Sequence, residues 1–165
     1  MSKIAEVTGI ILAGGRSSRF GENKAFATFH GIPLVDRVVN LLSPLFEELL
    51  LVTNRPEEFQ KLRLPILVDR VPYQGPLGGI ATALEVSRND RIFVVACDMP
   101  ILRSSTIQKV VGAAGESHAV IPVHDGVREY LMGLYSRKLL PRMLENLEAG
   151  KLSVAELLLS GVPVT

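Results

Sequence analysis

VTGIILAGGRSSRFGENK, residues 7–24, decides how the rest of the chain is read. Its first third, residues 7–12, is an apolar run that stops at Gly14 and Gly15. A short apolar run closed by glycine predicts a buried strand. Residues 13–32 are polar, hold four glycines and predict a long loop. A loop of that length in a compact domain is usually functional. Arg16, Arg19 and Lys24 place three cations within nine residues of it. Ligands of open α/β sheets bind beyond the carboxyl ends of the strands. Glycines there let the backbone approach a ligand, with positive φ expected at Gly14 and Gly15, and successive N–H groups can nest an anion. Leu12 to Lys24 therefore reads as a nucleotide-phosphate loop. It is not a Walker A loop, because no Gly-Lys-[Ser/Thr] closes it, and it is not G-x-G-x-x-G.

Outward from this loop, strand and helix patterns alternate. Pro33 is expected to start a helix to about Ser43, with Leu34, Val35, Val38, Val39 and Leu42 on one face. LLLVT (49–53) reads as a strand, 56–62 as a short helix and PILV (65–68) as a strand. Gly75 opens a helix to about Ser87, RIFVVA (91–96) is a strand, and 104–114 is a helix. Short buried strands separated by helices predict right-handed βαβ units and a parallel sheet. HAVIPV (118–123), the turn His124-Asp125-Gly126 and VREYLMGLY (127–135) read as one antiparallel hairpin at the sheet edge. Helices over 137–148 and 152–159 complete the chain. The expected architecture is a single three-layer α/β/α domain over residues 1–165, with a mostly parallel, Rossmann-like sheet.

The chain has 165 residues, 47% hydrophobic and only 5% aromatic, which suits a core of Leu, Val, Ile and Ala. A net charge of +1 favours neither nucleic acid nor an anionic membrane. No apolar stretch approaches the length of a membrane span, no signal peptide is expected, and a single cysteine fits the cytoplasm. His30, His118 and His124 are scattered, without zinc-ligand spacing, and there is no Gly-x-Ser-x-Gly elbow.

Three further groups fall at strand ends. In VVACDMP, Asp98 follows an apolar strand, and one carboxylate plus substrate phosphates is a usual Mg²⁺ arrangement. Such an Asp can equally cap a turn. Cys97 beside it is expected to face away in the pleat. In VDRVPYQGPLGGI, Asp69 ends a strand, and Gly75, Gly78 and Gly79 open a helix whose free N–H groups could meet a base, ribose or phosphate. The same glycines could serve close packing. Asn54, in Thr53-Asn54-Arg55, lines the same crevice or caps a helix.

Together LAGGRSSRFGENKAF, VTNR, VDRVPYQGPLGGI and CDMP resemble, in order and spacing, the molybdenum cofactor guanylyltransferases of the nucleotidyltransferase superfamily. The resemblance covers residues 7 to about 150. It implies GMP transfer from Mg-GTP to molybdopterin or its molybdenum form, with Mg²⁺ as cofactor and with protein partners in cofactor delivery. It implies that Leu12, Ala13, Gly14, Gly15, Arg16, Lys24, Asn54, Asp69, Gly75, Gly78 and Asp98 contact the nucleotide. Asp98 would hold the metal, and Lys24, Asp98 and Arg19 would serve catalysis. Two places depart from the family pattern. Arg128-Glu129-Tyr130 is followed by Leu131 where a proline is usual, and the family's Asn-x-[Asn/Asp]-Thr-Pro segment is not met by Thr165. Both concern the acceptor. A molybdopterin cytidylyltransferase, a nucleotidyltransferase for a sugar phosphate or other cofactor precursor, and a non-catalytic nucleotide-binding module stay open beside the guanylyltransferase reading. A Rossmann dehydrogenase is disfavoured by the glycine spacing.

Overall fold

A computed structural model describes residues 2–15, 23–99 and 101–165. Arg16 and Arg19 therefore lie outside the described residues. The first strand, β1 (Thr8–Leu12), is buried at all five positions. It is paired in parallel on both sides: with β4 (Leu49–Thr53), Leu12 opposite Val52, and with β6 (Arg91–Ala96), Leu12 opposite Ala96. A strand flanked on both sides and covered on both faces must be apolar throughout, which is why these segments are continuous runs rather than alternating ones.

Between β1 and β4 the chain forms a 3₁₀ turn at Lys24–Phe26, a small ribbon of β2 (Thr28–Phe29) and β3 (Ile32–Pro33), and helix α1 (Leu34–Leu42). Pro33 does not start the helix. It pairs with Thr28 with ψ of 141°, and the helix begins at Leu34. The expected helix at 56–62 is two 3₁₀ turns, Pro56–Glu58 and Gln60–Leu62. Strand β5 (Ile66–Val68), helix α2 (Gly75–Val86) and helix α3 (Ser104–Gly112) follow the expected order.

The C-terminal part departs further from a plain hairpin. β7 (Ala119–Val120) pairs with β10 (Met132–Ser136), whereas β8 (Val123–His124) and β9 (Val127–Arg128) form a separate two-stranded ribbon. The turn itself is as expected, with Asp125 and Gly126 both at positive φ. The main ladder breaks at Ile121-Pro122, where the proline has no N–H to donate. β10 is also not an edge strand. It lies between β6 and β7, and the sheet order is β5-β4-β1-β6-β10-β7. Residues 163–165 then pair in parallel along β7, Ile121 N–H donating to Thr165 O at 2.8 Å. Helices α4 (Leu140–Glu148) and α5 (Val154–Leu159) close the chain. α4 is preceded by a 3₁₀ turn at Arg137–Leu139 rather than starting there, and Ser153 caps α5 through its hydroxyl.

The pleat sorts the core into two layers. Ile11, Leu51, Phe93 and Val95 face α1, α3 and the Phe46 ring. Ile10, Leu50, Val52, Ile92 and Val94 face α2, α4, α5 and Tyr135. The layers meet only through the sheet, so strand spacing is held by close contacts such as Gly133. A Cβ there would lie 2.8 Å from Ile121 Cδ1 and 3.0 Å from the Val120 carbonyl oxygen. Gly133→Ala is expected to destabilise the fold by about 1–3 kcal/mol, the usual cost of overpacking a core. Urea denaturation of the purified variant checks this.

Candidate active site

The parallel strands β5, β4, β1 and β6 end at one rim, and a cavity of about 410 Å³ opens there. That is within the size range of small-molecule sites. Its floor is the end of β1. Ala13 N–H donates to Val52 O at 2.8 Å, Thr53 Oγ1 donates to Ala13 O at 3.2 Å, and Cys97 N–H donates to Leu12 O at 3.0 Å. The backbone of Leu12 and Ala13 is thus fixed from both neighbouring strands before the loop leaves.

Leu12, Ala13, Gly14, Gly15, Lys24, Asn54, Asp69, Gly75 and Asp98 all line this cavity. These nine positions were expected together, and they come from the ends of four strands, the loop after β1 and the start of α2. Gly14 and Gly15 are not in the left-handed region, contrary to expectation. Gly14 instead leaves room at the cavity wall: a Cβ there would stand 3.7 Å from Asn54 Nδ2 and 3.8 Å from Asp69 Oδ2. Gly75 does need glycine for its backbone, with φ of +66° as the chain turns into α2. Gly78 is not at the cavity. Its Cβ would sit 2.8 Å from Gln74 Cβ, so it serves the packing of the helix start. The neighbouring Gly79 takes the lining position, 3.1 Å from Leu12 Cδ2 and 3.6 Å from Asp69 Oδ1 as measured from a built Cβ.

Two side chains carry most of the electrostatic information. Asp69 is 8% exposed, and burial raises its carboxyl above the ordinary 3.8, partly opposed by a hydrogen bond from Asn54. Asp69 Oδ1 and Asn54 Oδ1 are both buried and have no hydrogen-bond partner among the described residues. A buried acceptor left unpaired costs about 1–3 kcal/mol, so the pair is preset for donors from outside. Lys24 reaches the cavity from the 3₁₀ turn. Asn23 caps that turn through Oδ1 on Ala25 N–H, and its amide donates to Glu58 Oε2 at 2.6 Å. Ala25 is buried beneath it, and the Phe26 ring stacks on Phe59 with centroids 5.1 Å apart.

A profile described as MobA-like NTP transferase domain matches residues 9–160. The chain belongs to the MobA-like NTP transferase family. A probable molybdenum cofactor guanylyltransferase of Carboxydothermus hydrogenoformans is 38% identical over 82% of this chain and 68% of that protein. A molybdenum cofactor guanylyltransferase of Desulfosudis oleivorans is 33% identical over 90% of this chain and 74% of its own. Among solved structures, a putative protein of Aquifex aeolicus superposes with TM-score 0.84 at 28% identity, covering 96% of this chain and 84% of that one. The molybdopterin-guanine dinucleotide biosynthesis protein A of Archaeoglobus fulgidus shares the fold, with TM-score 0.81 at 22% identity over 96% and 82% of the two chains.

Within this MobA-like site, Asn23, Ala25, Tyr73, Pro76, Gly79, Cys97 and Leu131 also line the cavity. Asn23 was findable only through its contact with Glu58, 35 residues away. Cys97 adds to the cavity wall, while its side chain is buried in the core layer of Phe93 and Val95, as the pleat leads one to expect. It is no nucleophile there: burial, and secondarily Asp98, push its thiol up to about 12. On the order of one thiol in 10⁵ is then ionised at pH 7, and the thiolate is the reactive form. Iodoacetamide at neutral pH is expected to leave Cys97 unmodified in the folded protein, as read by mass spectrometry.

Asp69 gives a second prediction. Its folded-state carboxyl is harder to ionise than the unfolded one. The stability cost is therefore absent well below pH 3.8 and grows as pH rises through the raised folded value. Asp69→Asn removes that cost, and a gain of about 1 kcal/mol is typical when a functional site is relaxed. The variant is expected to melt roughly 2–4 °C higher at pH 7, with the gain shrinking toward pH 3–4. Calorimetric scans across pH check the direction.

Proposed function

We propose that this chain transfers a guanylyl group from GTP to the phosphate of molybdopterin or its molybdenum form, releasing pyrophosphate. The observation that supports the choice of base is the pair of acceptors left unpaired among the described residues, Asn54 Oδ1 and Asp69 Oδ1. Guanine offers adjacent donors, N1–H and the exocyclic N2 amine. Cytosine offers only its N4 amine beside acceptors. A site whose buried polar groups go unpaired with the wrong ligand discriminates strongly against it. The close relatives named as guanylyltransferases support the same reading.

In the reaction an acceptor phosphate oxygen attacks the α-phosphorus of GTP. A new P–O bond forms as the bond between the α-phosphorus and the α,β-bridging oxygen breaks, and the electron pair leaves with pyrophosphate. A phosphate monoester is already anionic at neutral pH, so no general base is required. This agrees with a cavity whose described lining holds no histidine and whose thiol is protonated. What the chemistry asks of the protein is alignment and charge neutralisation. Lys24 is the described cation at the cavity and takes the developing charge on the leaving group. Arg16 and Arg19 keep their assignments to the triphosphate as part of this proposal. Gly14, Gly15 and the N-terminal turn of α2 bring backbone N–H groups to the ligand.

The donor set fits Mg²⁺ held chiefly by substrate. Asp98 is an exposed carboxylate at the cavity, and no cluster of three acidic, histidine or cysteine residues stands ready as a cage among the described residues. Mg²⁺ commonly binds one or two carboxylates with the remaining positions on phosphate and water. Bound at Asp98, it would supply neutralisation of the phosphate charge. The cytoplasm as setting and delivery to partner proteins belong to the same proposal. Among the described residues no helix is long and apolar enough to cross a membrane.

Lys24→Ala and Asp98→Ala are each expected to lower turnover by roughly 10²–10³ while the circular dichroism spectrum stays that of the parent. Unchanged turnover in a folded variant removes the residue from this role. In a binding titration CTP is expected to bind at least roughly tenfold more weakly than GTP, because two acceptors stay unpaired. Equal affinity would favour a cytidylyltransferase. Nucleotide binding without pyrophosphate release in the presence of molybdopterin would favour a non-catalytic module.

A further inference from the structure

Ala13 and Asn23 stand on either side of the loop after β1, and both are tied to one short stretch of chain, residues 53–58. At the near end, Thr53 Oγ1 donates to Ala13 O at 3.2 Å and accepts from Arg55 N–H at 3.1 Å. At the far end, Asn23 Nδ2 donates to Glu58 Oε2 at 2.6 Å. Glu58 N–H donates to Arg55 O at 3.1 Å and joins the two. The path leaves β1 at Ala13, passes through Thr53, Arg55 and Glu58, and returns through Asn23 to the residue beside Lys24. The same stretch carries Asn54, which lines the cavity and bonds to Asp69.

Lys24 has little else to direct it. It is exposed, it opens a 3₁₀ turn of three residues, and no acid pairs with it among the described residues. The turn is placed by its neighbours. Ala25 is fully buried in the core layer of Val35 and Val38, which fixes where the turn sits. Asn23 fixes how it is rotated, because Oδ1 accepts from Ala25 N–H at 3.1 Å while the amide nitrogen is held by Glu58. A hydrogen bond to an ionised acceptor is stronger than a neutral one. Next to Glu58, Phe59 is fully buried and stacks on Phe26, at the other end of the turn. Glu58 itself is not in the cavity wall. Its second oxygen lies 3.3 Å from Arg55 in a surface pair, of a kind that contributes little. Its consequential contact is the Asn23 amide.

We propose that Glu58 is a positioning residue, holding Lys24 toward the phosphates through Asn23 without touching substrate. This rests on the guanylyl-transfer reading, in which Lys24 takes the charge of the leaving pyrophosphate. Because Asn54 and Glu58 share one short segment, the span from the base end to the lysine is set before a nucleotide arrives. The test uses the full chain, with turnover read as pyrophosphate release from GTP and molybdopterin and GTP affinity read by calorimetry. Glu58→Ala is expected to lower kcat roughly 10- to 100-fold, the scale of loss from misplacing a group by about an ångström. The KM and affinity for GTP stay unchanged, as for a contact realised in the transition state. Glu58→Gln keeps an acceptor oxygen for Asn23 and is expected to recover most of the loss, and Arg55→Ala to turn over like the parent. Added to Lys24→Ala, Glu58→Ala is expected to cost no further turnover, since it acts through that lysine. A full second loss in that background, with Lys24→Ala alone still down roughly 10²–10³, overturns the positioning role and leaves guanylyl transfer standing. So does parent-like turnover in Glu58→Ala, a Glu58→Gln variant as poor as Glu58→Ala, an equally deep loss in Arg55→Ala, or a Glu58→Ala chain that does not fold. A parent protein that releases no pyrophosphate from these substrates takes down both.

Discussion

Leu12 and Ala13 are hydrogen-bonded to β4 on one side and β6 on the other, and Thr53 adds a side-chain bond to the Ala13 carbonyl. This clamp is what allows a polar loop to leave a buried strand at a defined point and direction. Because the strands run parallel and in register, it also brings Asn54, Asp69 and Asp98 to the same rim. Side chains separated by 15 to 44 positions along the chain therefore share a cavity without any long-range pairing among all three. Loosening the clamp would move the two ends of the cavity independently, and the proposed in-line chemistry tolerates such misplacement poorly.

The two rims of the sheet are treated differently. At the amino-terminal rim Thr8 donates to Glu48, Glu48 also accepts from Arg88 N–H, and Asn89 donates to Thr8 at 3.1 Å. Polar groups there satisfy one another. At the carboxyl rim Asn54 and Asp69 bond to each other and each keeps an acceptor unpaired among the described residues. Burial without compensation is unfavourable for folding, and it is concentrated where a ligand can supply the missing donors. The fold thus carries its instability at the place where binding relieves it.

The parallel half of the fold was legible because burial on both faces leaves a plain signal. LLLVT at 49–53 and RIFVVA at 91–96 are strands at those positions. Most of the cavity lining was legible for a related reason, since polar and glycine residues directly after such runs have few other places to go. What was hidden depended on contacts distant in sequence. β10 inserts beside β6 through pairings about 40 residues apart, which no local pattern records. Asn23 depends on Glu58, and the exchange of roles between Gly78 and Gly79 depends on which side of one helical turn meets Leu12. Cys97 keeps the alternation of β6, its side chain lying in the same core layer as Phe93 and Val95.

Residues 163–165 run parallel to β7, and β7 is antiparallel to β10, which is antiparallel to β6. Thr165 therefore points toward the same rim as Asp98, whereas residues leading into Thr8 enter from the opposite one. A fluorophore placed at position 165 would therefore stand beside the end of β7, on the cavity side of the sheet. The same group placed ahead of Thr8 would stand at the opposite rim, away from the cavity.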